Sequence, residues 1–196
     1  MLERLRHAPA TAALLIALGV AFLGSMVRPD LVGRFDKVNE ALHAEPWRLL
    51  TASFLHGGAI HLAVNAYALA MIGPSVERIY GPFRFWVVFL LGGAVGFGAS
   101  AVFVDAPSLG ASAGLFALLG ALLGWAVQAR RRIPPAARSA MIREILTVAA
   151  LNIGLGFMVP FVDNAAHVGG FAGGLAFGFA LRPRSPDRVR RDPWTS

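Results

Sequence analysis

Cysteine is absent from the 196 residues, which excludes a disulfide framework, a thiolate metal site and a cysteine nucleophile. Charge is scarce as well. Only 15% of the residues are Asp, Glu, Lys or Arg, against about 25% in soluble domains. With 56% hydrophobic residues and a mean hydropathy of +0.61, this composition excludes an ordinary soluble domain and fits a chain that crosses a membrane several times. Acidic residues are fewer than basic ones, 11 against 18, for a formal charge of +7. Clustered on one face, such an excess would suit a nucleic-acid partner. The cations fall instead between apolar runs, so they read as membrane topology, and no nucleic-acid partner is expected. No internal repeat is visible.

Six apolar runs are present, at residues 9–27, 58–73, 83–104, 111–128, 144–161 and 165–181. A bilayer core takes about 20 helical residues, so several of these runs are short, and the second and fourth are expected to start below the surface, where water can reach their N-terminal ends. The basic start at residues 1–8 followed by an apolar stretch fits a signal peptide. No convincing small-x-small cleavage site precedes Arg28 and further runs follow, so the first run is expected to stay as an anchor. The expected fold class is an all-α polytopic bundle of six transmembrane helices. One domain, residues 1–182, holds the bundle, and a basic tail, residues 183–196, is expected to be disordered.

Fourteen of the eighteen Lys and Arg residues lie in the N-terminal segment, the second and fourth loops and the tail, whereas the third and fifth loops have none. By the positive-inside rule both termini are cytoplasmic. That orientation puts Ser112, His61 and His167 at one level near the outer face, because each stands near the start of an inward-running span. The first loop, residues 28–57, is long for a connection without periodicity. Its Phe35, Trp47 and Phe54 suit a segment lying partly in the membrane interface.

Ser112 opens the fourth run within Gly110-Ala111-Ser112-Ala113-Gly114. At a helix start it has no preceding turn to bond back to, so its hydroxyl needs another partner. His167, in Ala166-His167-x-x-Gly170, is the obvious one. Hydrolysis of an amide needs a nucleophile, a base, and donors where negative charge develops. Ser112 supplies the first, His167 the second. The backbone amide of Ser112, at a positive helix end, suits an oxyanion, and His61 and Asn65, spaced i, i+4 on one face of the second run, offer further donors. Taken singly, Asn65 and His167 also fit ordinary polar contacts between helices. Glycines every four residues, at Gly110/Gly114, Gly120/Gly124 and Gly170/Gly174/Gly178, let backbones approach closely. Asp163, four residues before His167, reads as a helix cap. An ion path is the competing reading of intramembrane His and Asn, but no polar chain continues toward the inner face, which disfavours a small transporter.

In this order and spacing, Trp47-Arg48, His61-x-x-x-Asn65, Glu77-Arg78, Gly110-x-Ser112 and Ala166-His167-x-x-Gly170-x-x-x-Gly174 resemble the motifs of the rhomboid intramembrane serine proteases. The resemblance implies the six-helix rhomboid fold and a catalytic dyad of Ser112 and His167. It also implies an oxyanion hole from the Ser112 amide, His61 and Asn65, and a fifth span that gates lateral entry of substrate. Partners would be the lipid bilayer and single-span membrane proteins, cut in or near their transmembrane helix. No metal and no cofactor is implied. Ala113 replaces a glycine found in many members, and Phe116 stands where some members place a tyrosine against the histidine ring. A non-cutting relative that only binds membrane proteins shares the fold, but such proteins typically lack the serine or the histidine. The compact form, with no sign of an extra domain or a seventh span, suggests a prokaryotic plasma membrane, with the active site opening to the outer side.

The absence of cysteine makes the topology directly testable. A cysteine introduced as Asp105→Cys is expected to react with a membrane-impermeant maleimide on intact cells, and Arg138→Cys only after permeabilisation; the reverse pattern would contradict the orientation.

Overall fold

The computed structural model describes residues 2–129 and 133–184. Arg130, Arg131 and Arg132 of the basic fourth loop, and residues 185–196 of the tail expected to be disordered, lie outside the described residues. Among the described residues there are nine α-helices and no strand: α1 (Leu2–Arg6), α2 (Pro9–Val27), α3 (Asp30–Phe35), α4 (Arg48–Thr51), α5 (Ala59–Tyr80), α6 (Pro82–Phe103), α7 (Ser112–Gln128), α8 (Pro135–Gly156) and α9 (Asn164–Ala180). Four of them, α2, α5, α6 and α8, are long and apolar enough to cross a membrane. The chain is thus a multi-pass helical membrane bundle.

Local chemistry places the helix ends. Proline occupies the first turn of α2, α6 and α8, where its missing N–H costs nothing. Gly81, at φ +84°, makes the reversal between α5 and α6 in a region that other residues enter only with strain. Asp163 caps α9, its carboxylate accepting from the Ala166 N–H.

The second and fifth runs are longer as helices than as apolar stretches. Helix α5 continues past Gly73 through Pro74 to Tyr80, so Glu77 and Arg78 lie on it rather than in a loop. Proline removes a backbone donor, but side chains beyond it hold the extension in place. The Glu77 carboxylate accepts from the Ala10 N–H, the Thr11 N–H and the Thr11 hydroxyl, each at 2.8 Å, and thereby caps α2. The Tyr80 hydroxyl is shared between the carbonyls of Ala121 and Gly178. Likewise α8 starts at Pro135, so Arg138 and Arg143 ride on its first turns.

Helix α7 is the centre of the bundle. Thirteen of its 17 residues are buried, the pattern of a helix covered on all sides. Helices α7 and α9, at 17 residues each, are about 25 Å long at the usual rise, short of a hydrocarbon core of about 30 Å. Glycine sets how closely they pack. A Cβ added at Gly170 or Gly174 would overlap the carbonyl oxygens of Ala113 and Ala117, and one at Gly178 would lie 2.7 Å from that of Ala121. Helix α6 is drawn in the same way, since a Cβ at Gly96 would stand 2.5 Å from the Ala166 carbonyl and 3.0 Å from the Ala113 Cβ.

The first loop is held by buried charge. Arg48 donates to the carbonyls of Gly33 and Asp36 and pairs with the carboxylates of Asp36 and Glu45. Burial pushes the Asp36 carboxyl up and the Arg48 charge opposes it.

Forcing a methyl group into a closed backbone contact typically costs about 1–3 kcal/mol. Gly174→Ala is therefore expected to lower stability in detergent by at least that amount. Gly98→Ala, with nothing within 4 Å of the added Cβ, is expected to leave it equal or slightly raised. Thermal unfolding of the two variants measures the contrast.

Candidate active site

Ser112 is the first residue of α7 and is half-buried. The turn before it is shaped by Gly110, whose φ of +127° lies where a side chain is strained. A Cβ there would also stand 2.7 Å from Cε1 and 2.9 Å from Nε2 of His61. Glycine is needed twice over, and the His61 ring lies directly against the backbone two residues before Ser112. Three elements meet here, because the Gly110 N–H donates to the Ala52 carbonyl of the first loop at 2.9 Å.

His167 sits in the first turn of α9 and is buried. Its ring stacks on Phe116, with centroids 4.3 Å apart and planes 13° from parallel. Phe116 follows Ser112 by one helical turn, on the same face of α7. The close seat of Gly170 on the Ala113 carbonyl brings the backbone just after His167 onto the backbone just after Ser112. His167 and Ser112 therefore occupy neighbouring first turns of two helices in backbone contact. No hydrogen bond links the Ser112 hydroxyl to the imidazole in this structure. The His167 Nδ1 is buried and has no partner among the described residues. Asp163 is occupied elsewhere: one oxygen caps α9 and the other accepts from the Ser100 hydroxyl on α6.

Asn65 is buried on α5 one turn after His61, and its side-chain N–H donates to the His61 carbonyl at 2.8 Å. An amide NH₂ has a second donor. His61 is thus brought to the Gly110–Ser112 turn, while one Asn65 donor is spent within its own helix.

Three nearby residues went unmarked in the sequence reading. His56, buried in the first loop, meets the His61 ring edge-on with centroids 5.0 Å apart. Burial, reinforced by the neighbouring His61, pushes the His56 imidazole down to about 4, so it is neutral at physiological pH. Its five-residue spacing from His61 was visible. Ser100 and Lys37 left only weak signals, since one looks like a small residue in an apolar helix and the other like a loop cation. No group of three or more His, Asp or Glu residues that could hold a metal occurs among the described residues.

His61 and residue 110 compete for one volume. Gly110→Ala and His61→Ala are expected to be destabilising singly and less than additive together, the alanine at 110 keeping its backbone strain of about 1–3 kcal/mol. A double-mutant cycle by thermal unfolding measures this; strict additivity would contradict the contact.

A family model, the Rhomboid domain, matches residues 43–184. The chain is similar to the rhomboid protease GluP of Bacillus subtilis (strain 168), 40% identical over 159 residues, which cover 81% of this chain and 31% of that protein. RHOMBOID-like protein 7 of Arabidopsis thaliana is 40% identical over 141 residues, covering 69% of this chain and 42% of the relative. Inactive RHOMBOID-like protein 8 of the same plant is 36% identical over 128 residues, 65% of this chain and 36% of the relative. The chain thus spans roughly a third to a half of the length of the curated relatives it matches.

Proposed function

Since the chain belongs to the rhomboid family, we propose that it is a serine endopeptidase that cuts membrane-anchored proteins within or beside their transmembrane segment. The observation that carries this reading is the stacking of His167 on Phe116, one turn from Ser112, across helices whose backbones touch. The Ser112 hydroxyl attacks the scissile carbonyl while His167 takes its proton. The tetrahedral intermediate collapses to an acyl-enzyme on Ser112, and His167 returns the proton to the leaving amine. Water, deprotonated by His167, then releases the acyl group. The oxyanion is met by the Ser112 N–H at the positive end of α7, by His61 at the Gly110 turn, and by the Asn65 N–H not spent on its own helix. Each such donor contributes about 3 kcal/mol in the transition state. In this reading the dyad works without a carboxylate behind the imidazole: Asp163 bonds Ser100 and the Ala166 N–H, and the His167 Nδ1 has no partner among the described residues.

Substrate enters laterally past α8 in this reading. Along its 22 residues only Ile145, Ala149 and Gly156 are buried, so little apolar contact has to be given up when the helix tilts. The connection that follows exposes Phe157, Met158 and Phe161, a surface suited to lipid or to an incoming helix. Six spans, with α7 and α9 completing the set, both termini cytoplasmic and the site opening outward in a prokaryotic plasma membrane, complete the proposal. Residues 1–182 form its domain, and the basic residues 183–196 follow as a cytoplasmic tail. A relative named inactive favours, as the second reading, a binder of membrane proteins that does not cut.

Cleavage of a single-span reporter in liposomes separates the readings. Wild type is expected to cut, Ser112→Ala and His167→Ala to fall by at least about 10³-fold while remaining folded, and Asn65→Ala to lose about 10²- to 10³-fold. Unimpaired cleavage by both dyad variants would overturn the proposed centre. A folded wild type that neither cuts nor labels with a fluorophosphonate would establish the binder.

A further inference from the structure

Lys37 is the only lysine of the chain and is completely buried, an expensive place for an ammonium unless every donor is matched. Here they are matched. Its Nζ donates to Asn39 Oδ1 at 2.9 Å, the Val104 carbonyl at 3.2 Å and the Ala106 carbonyl at 2.8 Å, which uses all three N–H bonds. Val104 ends α6, so the charge sits at the negative end of that helix dipole. The backbone of Lys37 exchanges two hydrogen bonds with Ser108, both at 2.9 Å. Asn39, the acceptor for Nζ, itself donates to the carbonyls of Ala101 and Val104.

The pattern along the chain is regular. Val104, Ala106 and Ser108 are held by Lys37, and Gly110 by Ala52 of the same loop; the next residue in this alternation is Ser112. On the other side, the Asp163 carboxylate, which caps the helix of His167 and accepts from Ser100, contributes to the field at the ammonium together with Asp105, Glu40 and Asp36. We propose that Lys37 is a positioning residue: its buried ammonium clamps the segment 104–110 to the first loop and sets where the Ser112 hydroxyl stands relative to His167. This rests on the catalytic reading above and adds to it a residue that does not touch the reacting atoms.

The test compares wild type, Ser112→Ala, Lys37→Met and Asn39→Ala in liposomes. Reporter cleavage, the rate of fluorophosphonate labelling of Ser112, and thermal unfolding are measured on each. Ser112-dependent labelling of wild type establishes the premise; if wild type neither cuts nor labels, the catalytic reading falls and this inference with it. Lys37→Met, assayed well below its unfolding temperature, is expected to lose about tenfold to a hundredfold in kcat, as a displacement near 1 Å does, with KM unchanged. Labelling of Ser112 is expected to slow by the same factor. A purely structural lysine would lower the unfolding temperature and leave kcat and labelling of the folded fraction at wild-type values, which would overturn the proposal. Should Lys37→Met not fold, Asn39→Ala decides, since it leaves Nζ both carbonyls: a several-fold loss in kcat and labelling supports the clamp, and wild-type rates overturn it.

Discussion

Everything else in the molecule depends on a row of backbone contacts between α7 and α9. Gly170, Gly174 and Gly178 seat against the carbonyls of Ala113, Ala117 and Ala121, the same four-residue step on both helices. In a membrane the lipid is as apolar as any leucine, so helices gain little from hiding apolar surface from one another and are held by dispersion and close polar contact. Carbonyl oxygens meeting Cα atoms at this range supply weak C–H hydrogen bonds. They also leave no freedom of register, because a shift by one residue would put a side chain where only glycine fits. The first residues of the two rows flank the site: Ala113 follows Ser112, and Gly170 stands one turn after His167. The separation of Ser112 and His167 is thus set by the packing of the bundle.

A second constraint follows from the first. Helices this short leave non-helical chain at membrane depth, and each of its polar groups needs an internal partner. The first loop answers that demand with two buried cations: Arg48 within the loop, held by carbonyls and carboxylates, and Lys37 between the loop and the end of α6, held by two carbonyls and the Asn39 side chain. The turn at Gly110 is then fixed from both sides, by Ala52 through its N–H and by the His61 ring over its Cα. Helix α8 has few such ties, with only Ile145, Ala149 and Gly156 buried along it.

Much of this was legible in the sequence because membrane physics writes large signals. Long apolar runs mark the spans, and four-residue glycine spacing marks the tight interface. Ser112, His61 and His167 are expected at one level from the order of the spans and the charge asymmetry, and the structure sets His61 against Gly110 and His167 against Phe116 of α7. The Rhomboid domain match bears out the family that those motifs suggested. Asp163 is the cap its position suggested. What escaped is equally instructive. The second apolar run ends at Gly73, and nothing local reveals that the helix continues and that Glu77 caps α2 from 66 residues away. The start of α8 hid behind arginines. Ser100 and Lys37 gained their importance only through partners distant in the chain, Lys37 reaching Val104 and Ala106 and Ser100 reaching Asp163. Local pattern records which residues are unusual for their place, whereas long-range polar pairing appears only in three dimensions.

The central claim is that helix packing holds a nucleophilic Ser112 and a basic His167 at one reacting centre. A peptide chloromethyl ketone tests it most directly, because its carbonyl carbon takes the Ser112 oxygen while its methylene alkylates a histidine nitrogen with loss of chloride. Mass spectrometry of the digested adduct is predicted to find the inhibitor on His167 in wild type and no adduct there in Ser112→Ala. Attachment to another residue, or equal labelling of His167 without the serine, would contradict the account.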